Sequence, residues 1–141
     1  MTTTETTAPN KRIITLTDRP PVKIREDEWP VIAHGVYSDH DNEFESQANR
    51  KWRCNVRVRQ HADGRAIVYG IYDYDTAWRG ERGFAAKSGA LLGAGANLVD
   101  AINDVGRDLT NTALEANHEG FVAHISEAVR DCIADLPAEE I

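Results

Sequence analysis

Arginines and tyrosines recur along two neighbouring stretches of this sequence, and these side chains are suited to binding anions and nucleobases. Positions 50–60 read Arg-Lys-Trp-Arg-Cys-Asn-Val-Arg-Val-Arg-Gln, and positions 65–74 read Arg-Ala-Ile-Val-Tyr-Gly-Ile-Tyr-Asp-Tyr. Guanidinium groups bind phosphates, and tyrosine rings stack on bases. The residues that this pattern marks for binding nucleic acid or another partner are Arg53, Arg57, Arg59, Tyr72, Tyr74 and Arg79.

A structural interpretation of the same side chains competes with the binding interpretation. The arginines could pair with Asp73, Asp75 and the acidic segment 39–49, or stack on tyrosines within the fold. The chain carries a net charge of −7, which opposes general affinity for nucleic acid. We therefore favour structural roles for these arginines and keep nucleic-acid binding as the alternative.

Two other segments have the composition of a ligand site but fail the detailed pattern. The acidic segment 39–49 offers carboxylates to a cation, but an EF-hand beginning at Asp39 requires glycine and glutamate where Phe44 and Arg50 stand. The glycine-rich segment 89–97 precedes a predicted helix, where an anion can bind, but it contains no Gly-Lys-Ser/Thr. We interpret the first as a solvated loop and the second as a linker.

The histidines and cysteines form no recognisable catalytic or metal-binding pattern. The five histidines are scattered over positions 34, 40, 61, 118 and 124. His118 and His124 are six residues apart, whereas a metal-binding pair on a helix is spaced by four. Cys54 and Cys132 match no metal or redox spacing, so we expect both to be reduced and buried. The sequence predicts no cofactor and no metal, and an enzyme with a dispersed site remains a third alternative.

The two arginine-rich and tyrosine-rich stretches are predicted to form a β-hairpin, because Asp63-Gly64 lies between them. A four-residue loop at 61–64 pairs Gln60 with Arg65 and places Tyr72 and Tyr74 beside the arginines. The apolar face of that hairpin would contain Trp52, Cys54, Val56, Val58, Ile67, Tyr69 and Ile71. A three-residue loop would turn the second strand over. We prefer the first register because it groups apolar side chains together.

Strand patterns precede the hairpin and helix patterns follow it. Strands are predicted at 11–17 and 29–38, with a brief extended piece at 22–25 and a bulge at Gly35. Helices are predicted at 85–92, from the Asn97 cap onwards, and at 119–136. This order predicts an α+β domain over 11–137, with an antiparallel sheet of about four strands followed by two or three helices packed on one face. Positions 1–10 and 138–141 are predicted to be tails.

Charge is distributed unevenly along the chain. Positions 50–87 contain nine basic and four acidic residues, a net charge of +5, whereas positions 100–141 contain ten acidic and two basic residues, a net charge of −8. The two segments either neutralise each other within the fold or meet different partners. No apolar run approaches the length of a membrane helix, and the N-terminus lacks the pattern of a signal peptide. We expect a cytoplasmic protein without a membrane partner.

Three stretches resemble small uncharacterised accessory proteins encoded on plasmids, integrative elements and phages of proteobacteria. They are Ile-Thr-Leu-Thr-Asp-Arg-Pro-Pro-Val-Lys-Ile at 14–24, Glu-Trp-Pro-Val-Ile-Ala at 28–33 and Gln-His-Ala-Asp-Gly-Arg-Ala-Ile-Val-Tyr at 60–69. The resemblance implies a role in element maintenance, gene regulation or interference with host defence. It transfers no catalytic motif and no site residue.

These observations support three hypotheses of different classes. The first is a non-enzymatic protein that binds a macromolecule, with a protein partner preferred; its acidic helical end would contact a basic host protein or stand in for nucleic acid. The second is nucleic-acid binding through the arginine and tyrosine side chains. The third is an enzyme. The sequence leaves a homodimer open.

Overall fold

The described residues form six strands, two α-helices and one 3-10 turn. The computed structural model describes residues 10–41, 50–76, 80 and 82–137. The elements are β1 (Lys11–Ile14), β2 (Val22–Arg25), β3 (Val31–Asp41), β4 (Arg50–Gln60), β5 (Ala66–Thr76), β6 (Phe84–Leu92), α1 (Leu98–Glu115), the 3-10 turn (Glu119–Phe121) and α2 (Val122–Asp135). Positions 1–9 of the predicted tail 1–10, the predicted tail 138–141, positions 42–49 of the acidic segment 39–49 and Arg79 lie outside the described residues. Positions 39–41, predicted as part of a loop, belong to β3.

The strands form two sheets, and the larger sheet supports both helices. Strands β3, β4, β5 and β6 form an antiparallel sheet in that spatial order, and β1 pairs with β2 in a separate two-stranded sheet. Both helices pack against one face of the larger sheet, α1 over β5 and β6 and α2 over β3 and β4. The predicted α+β class, with a four-stranded antiparallel sheet and helices on one face, is confirmed. No described helix is long and apolar enough to span a bilayer.

The central hairpin forms as predicted, but the predicted register is wrong. Its loop has five residues, so Gln60 pairs with Ala66 and not with Arg65. The loop is closed by a hydrogen bond of 2.9 Å from His61 N to Arg65 O. Within it Gly64 adopts φ +98°, a conformation that glycine tolerates. Side chains alternate along a strand, so the one-residue shift turns β5 over relative to the prediction.

The corrected register places a different set of β5 residues under the helices. Val68, Gly70, Tyr72 and Tyr74 lie opposite Val58, Val56, Cys54 and Trp52. Several of these side chains join one apolar core with Ile102, Leu109 and Ile125 of the helices. Ile67, Tyr69 and Ile71 point to the other face, where they stand beside the arginines of β4. The predicted grouping of Tyr72 and Tyr74 with the arginines is therefore wrong.

The segment 85–92, predicted as a short helix, is the edge strand β6. It pairs with β5 from Ala66↔Leu92 to Tyr74↔Phe84. Alanine has the highest helix propensity, but intrinsic propensity is a weak determinant of structure, and nine backbone pairings with β5 outweigh it. A strand therefore leads into the glycine-rich turn that precedes α1, which the sequence pattern did not indicate.

The two long helices follow the predicted patterns closely. Asn97 caps α1, because its Oδ1 accepts a hydrogen bond of 3.0 Å from Asp100 N. Along α1 the apolar residues Ile102, Val105 and Leu109, which recur at helical spacing, are buried. In the second helical segment Phe121, Ile125, Ala128 and Cys132 are buried at the same kind of spacing. Both helices are therefore held by amphipathic packing on the sheet.

Glycine 35 marks the closest approach of α2 to the sheet. A Cβ placed at Gly35 would collide with the carbonyl oxygen of Ala128 and would lie 2.6 Å from Cys132 N. Gly35 was predicted to form a bulge, but the register irregularity of β3 lies between Val31 and Ala33. The absence of a side chain at Gly35 lets the helix backbone rest on the strand.

The small β1–β2 sheet lies against the other face of the larger sheet. Ile14, Leu16, Ile24 and Trp29 form a second apolar cluster with Ile67 of β5. The segment after β1 also contacts the β6 edge, where Thr17 N donates to Gly89 O at 2.9 Å. This sheet covers only part of the face, and the strands beyond it remain accessible.

Candidate functional site

The face of the larger sheet opposite the helices, here called the open face, carries all three arginines that the sequence marked on β4. Register pairs His34 with Arg57, Arg57 with Tyr69, and Arg53 with Asp73, so these side chains share a face. The residues of the open face are His34, Val36, Ser38, Arg53, Asn55, Arg57, Arg59, Ile67, Tyr69, Ile71, Asp73, Ala85, Lys87 and Leu91. Each arginine has a different environment.

Arg59 is a structural residue beneath the β1–β2 sheet. Its side chain is only 6% exposed. Its Nη1 donates to Trp29 O at 2.9 Å, and its Nε donates to the hydroxyl of Tyr69 at 2.8 Å. A buried guanidinium requires such partners. Arg59 therefore anchors the segment that leads into β3 and is not accessible to a macromolecule.

Arg53 is engaged by a carboxylate on the neighbouring strand. Its Nε and Nη2 donate to the two oxygens of Asp73 at 3.1 and 2.6 Å. This fork-to-fork geometry fixes both side chains, and the hydrogen bonds to Asp73 raise the pKa of Arg53. The structural interpretation of Arg53 is therefore correct for this pair.

Tyr72 and Tyr74 lie on the helix side of the sheet, away from the arginines. Tyr72 is fully buried, and burial raises the pKa of its hydroxyl. The hydroxyl oxygen lies 2.9 Å from His118 Nδ1. Tyr74 packs against Trp52 and Phe84. Neither ring is presented on the open face to stack on a base.

These tyrosines belong to an aromatic cluster that the sequence did not reveal. His118 stacks on Phe84 with centroids 3.7 Å apart, and His124 stacks on Tyr37 at 3.8 Å. Phe121 links the two histidines through contacts with Phe84 and His124. The members come from β3, β5, β6 and the helical segment, so sequence spacing could not have grouped them. The cluster gives both histidines a packing role.

Arg57 differs from Arg53 and Arg59 because it forms no ion pair or side-chain hydrogen bond with the described part of the chain. The same holds for Lys87, which lies opposite Ile71 on β6. Both side chains line a pocket of about 170 Å³ between β1 and the open face. Its lining consists of Arg12, Ile13, Ile14, Thr15, Arg57, Tyr69, Gly70, Ile71, Lys87 and Ser88. We call it the sheet pocket.

The helix side of the molecule carries a larger groove with the opposite charge. It lies between α1 and α2 and has a volume of about 680 Å³. Its lining consists of Asp100, Asn103, Asp104, Gly106, Arg107, Thr110, Val122, Ile125, Ser126 and Val129. Within it Arg107 Nη1 donates to Asp104 Oδ1 at 2.9 Å, whereas Asp100 lies in the first turn of α1. We call it the helical groove.

The described residues contain no cluster that could hold a metal ion, and the two cysteines are not activated. No group of three or more His, Cys, Asp or Glu side chains in the described ranges is arranged to hold a metal ion. Both cysteines are free and buried, as predicted. Burial raises the pKa of Cys54 to about 12 and that of Cys132 to about 11, so neither supplies a thiolate nucleophile near neutral pH.

Comparisons of the chain with protein-family models, curated proteins and solved structures find no match. The sheet pocket and the helical groove are therefore the two features of the molecule that bear on its function.

Proposed function

We propose that the protein acts without catalysis, by binding a basic protein partner through the acidic surface of its two helices. The observation that carries this proposal is the separation of charge between the layers. Positions 98–137 contain eight acidic and two basic residues, whereas the other described positions contain nine acidic and thirteen basic ones. The helical layer thus carries a net charge of −6 within a chain whose sheet layers are basic. Such a field steers a basic partner to the helices.

The helical groove has the chemistry to receive lysine or arginine side chains from that partner. Val122 and Val129 supply an apolar wall, and Asp100 supplies a carboxylate on the opposite helix, one turn before the Asp104–Arg107 pair. Long basic side chains bury their methylene stems on apolar surface while their charged ends meet carboxylates. The groove therefore fits a basic protein surface better than a neutral one.

The environment of the arginines supports a protein partner over nucleic acid. Arg53 is held by Asp73, Arg59 is buried, and the two tyrosines lie beneath the helices. Of the residues marked for nucleic-acid binding, these four are engaged within the fold, which weighs against that alternative. The resemblance to accessory proteins of mobile elements suggests that the partner is a host or regulatory protein, and that binding alters its activity.

The proposal is tested by affinity purification with two variants of equal net charge. The first variant, D100N/E127Q/D131N, neutralises three exposed carboxylates of the helical layer. The control variant, D27N/E28Q/D75N, neutralises three exposed carboxylates that lie outside the helical layer. A partner identified by mass spectrometry is then purified, and its binding to all three proteins is measured at two salt concentrations.

We expect a partner with a basic surface that is retained by wild type and the control variant and is lost by the helical variant. Binding should weaken as salt rises, because the contact is electrostatic. Equal retention by both variants would refute the helical layer as the interface. Recovery of nuclease-sensitive material in place of a protein would favour the nucleic-acid hypothesis.

A further inference from the structure

We infer that the sheet pocket is a binding site for a small organic anion, namely a carboxylate or phosphate group carried on an apolar body about the size of one ring. This inference goes beyond the proposed function, because the pocket lies on the opposite side of the sheet from the helices. It rests on three observations: two cationic side chains that have no partner among the described residues, an apolar floor and a matching volume.

The first observation is the convergence of Arg57 and Lys87 on one cavity. They lie on β4 and β6, on either side of β5, and both line the pocket. Arg57 lies opposite Tyr69 and Lys87 lies opposite Ile71, so the two are offset by two residues along the strands. With a strand spacing of about 4.8 Å and a rise of about 3.4 Å per residue, their backbones are roughly 12 Å apart. Both side chains are long enough to reach an anion held above β5 between Tyr69 and Ile71.

The second observation is that charge compensation is missing at these two cations and present around them. Arg12, the third basic residue of the lining, donates from Nε to Glu26 Oε2 at 2.8 Å. Arg53, on the same strand as Arg57, is neutralised by Asp73. No acidic side chain belongs to the described lining of the pocket. Arg57 is half-buried, so a charge-assisted hydrogen bond from an anion would be strong there.

The third observation concerns the shape and lining of the cavity. Ile14, Tyr69 and Ile71 provide apolar surface, and the volume is about 170 Å³. An apolar cavity of about 150 Å³ admits benzene, so a single ring fits this space. The combination selects a ligand with one ring-sized apolar part and one anionic group. A bare inorganic anion would leave the apolar surface unused.

The experiment measures binding of phenyl phosphate, benzoate and benzamide to the full chain by amide chemical-shift titration. Benzamide matches benzoate in shape and lacks its charge. Inorganic phosphate and a ten-nucleotide single-stranded DNA test whether the anionic group alone, or a nucleic-acid backbone, is the real ligand. Each titration is repeated with R57Q, K87Q and the control R130Q, which removes one positive charge from the exposed face of α2.

We expect shifts at Arg57, Ile71 and Lys87 with phenyl phosphate or benzoate, and binding at least about tenfold weaker in R57Q and K87Q but unchanged in R130Q. Benzamide binding as tightly as benzoate would overturn the assignment, as would tighter binding of the oligonucleotide than of phenyl phosphate. Wild-type shifts confined to residues outside the pocket would also overturn it. Wild-type mapping needs no variant, so it stays decisive even if R57Q does not fold.

Discussion

The two faces of the four-stranded sheet are formed by the same strands but differ in burial and in charge. The helix-covered face buries Val56, Val58, Val68 and Tyr72 completely. The open face is partly covered by the β1–β2 sheet and carries charged side chains, most of which meet a local partner. The comparison teaches that a count of arginines overstates the positive surface, because pairing within the fold neutralises Arg53 and burial removes Arg59 from the surface.

The two faces should also respond differently to substitution. Substitutions on the helix-covered face disturb close packing, so they should change the free energy of unfolding strongly. Substitutions on the open face remove exposed pairs or free charges, so they should change stability little.

Val56→Asp should abolish folding. Val56 is fully buried between sheet and helices, so the substitution places a charge without a partner in the core and should cost more than about 4 kcal/mol. The matched control is Val36→Asp on the open face, where the side chain is 47% exposed and the cost should be about 1 kcal/mol or less. Circular dichroism melts check both variants. Equal melting temperatures would show that the two faces have been assigned incorrectly.

Gly35→Ala should destabilise the protein by about 2 kcal/mol, because the new methyl group meets the backbone of α2 at Ala128 and Cys132. Backbone atoms of a packed helix move less readily than a side-chain end. Gly93→Ala is the control, since a Cβ there meets no atom within 4 Å. Urea denaturation measures both free energies of unfolding. A Gly35→Ala variant as stable as the control would contradict the close approach of α2 to β3.

Alkaline pH should lower the free energy of unfolding, because two thiols, Cys54 and Cys132, are buried in the core between the sheet and the helices. Folding raises the pKa of Cys54 from 9.0 to about 12 and that of Cys132 from 9.0 to about 11. Between pH 9 and 11 the folded state therefore holds thiol protons that the unfolded chain loses. The free energy of unfolding falls as pH rises, by up to about 1.4 kcal/mol per pH unit for each thiol.

Urea denaturation between pH 8 and 10.5 measures that slope. The C54A/C132A variant is the comparison, and its stability should fall less steeply even though its absolute value differs. Parallel slopes for the two proteins would mean that the thiols do not contribute to the alkaline loss.

Asp73→Asn on the open face should have the smallest effect. The carboxylate pairs with Arg53, whose side chain is 46% exposed, and pairs of that exposure contribute about 0.2–1 kcal/mol. A double-mutant cycle with Arg53→Gln isolates the coupling, which should shrink as salt is added. A coupling above about 2 kcal/mol, insensitive to salt, would mark this pair as buried and would weaken the contrast between the faces.

Much of the fold follows from patterns within single elements. The apolar stripes of α1 and α2, the Asn97 cap and the Asp63-Gly64 turn are local features, and each is found where the sequence places it. The burial of both cysteines follows from their apolar surroundings. The order of strands before helices was enough to predict the α+β class.

Two predictions that were wrong, the register of β5 and the helix at 85–92, have one physical cause. Both features depend on contacts with residues that are distant in the chain. The predicted four-residue loop places Ile67, Tyr69 and Ile71 on the same face as the apolar residues of β4. That register was preferred because it assumes that these three side chains are buried by the helices. In the structure Ile67 is buried by β1 and β2 instead, and Tyr69 packs beside it. Segment 84–92 became a strand because β5 offered an unpaired edge.

The candidate site was only partly accessible to sequence reasoning. Arg57 was marked from its spacing, together with arginines that proved to be structural. Lys87 was overlooked because its segment was predicted as a helix. The sheet pocket is lined by residues of β1, β4, β5 and β6. Their spacing along the chain gives no indication that they lie together.

The sequence by itself determined which segments become strands and helices in most of the chain, where each long helix begins, and how charge divides between the halves. Those properties depend on side chains a few residues apart. Only the tertiary structure decided which face of β5 packs against the helices, which arginines pair with carboxylates, and that Arg57 and Lys87 line one pocket with no partner among the described residues. Pairing and burial depend on distances between elements, and a one-residue change in a loop is sufficient to invert them.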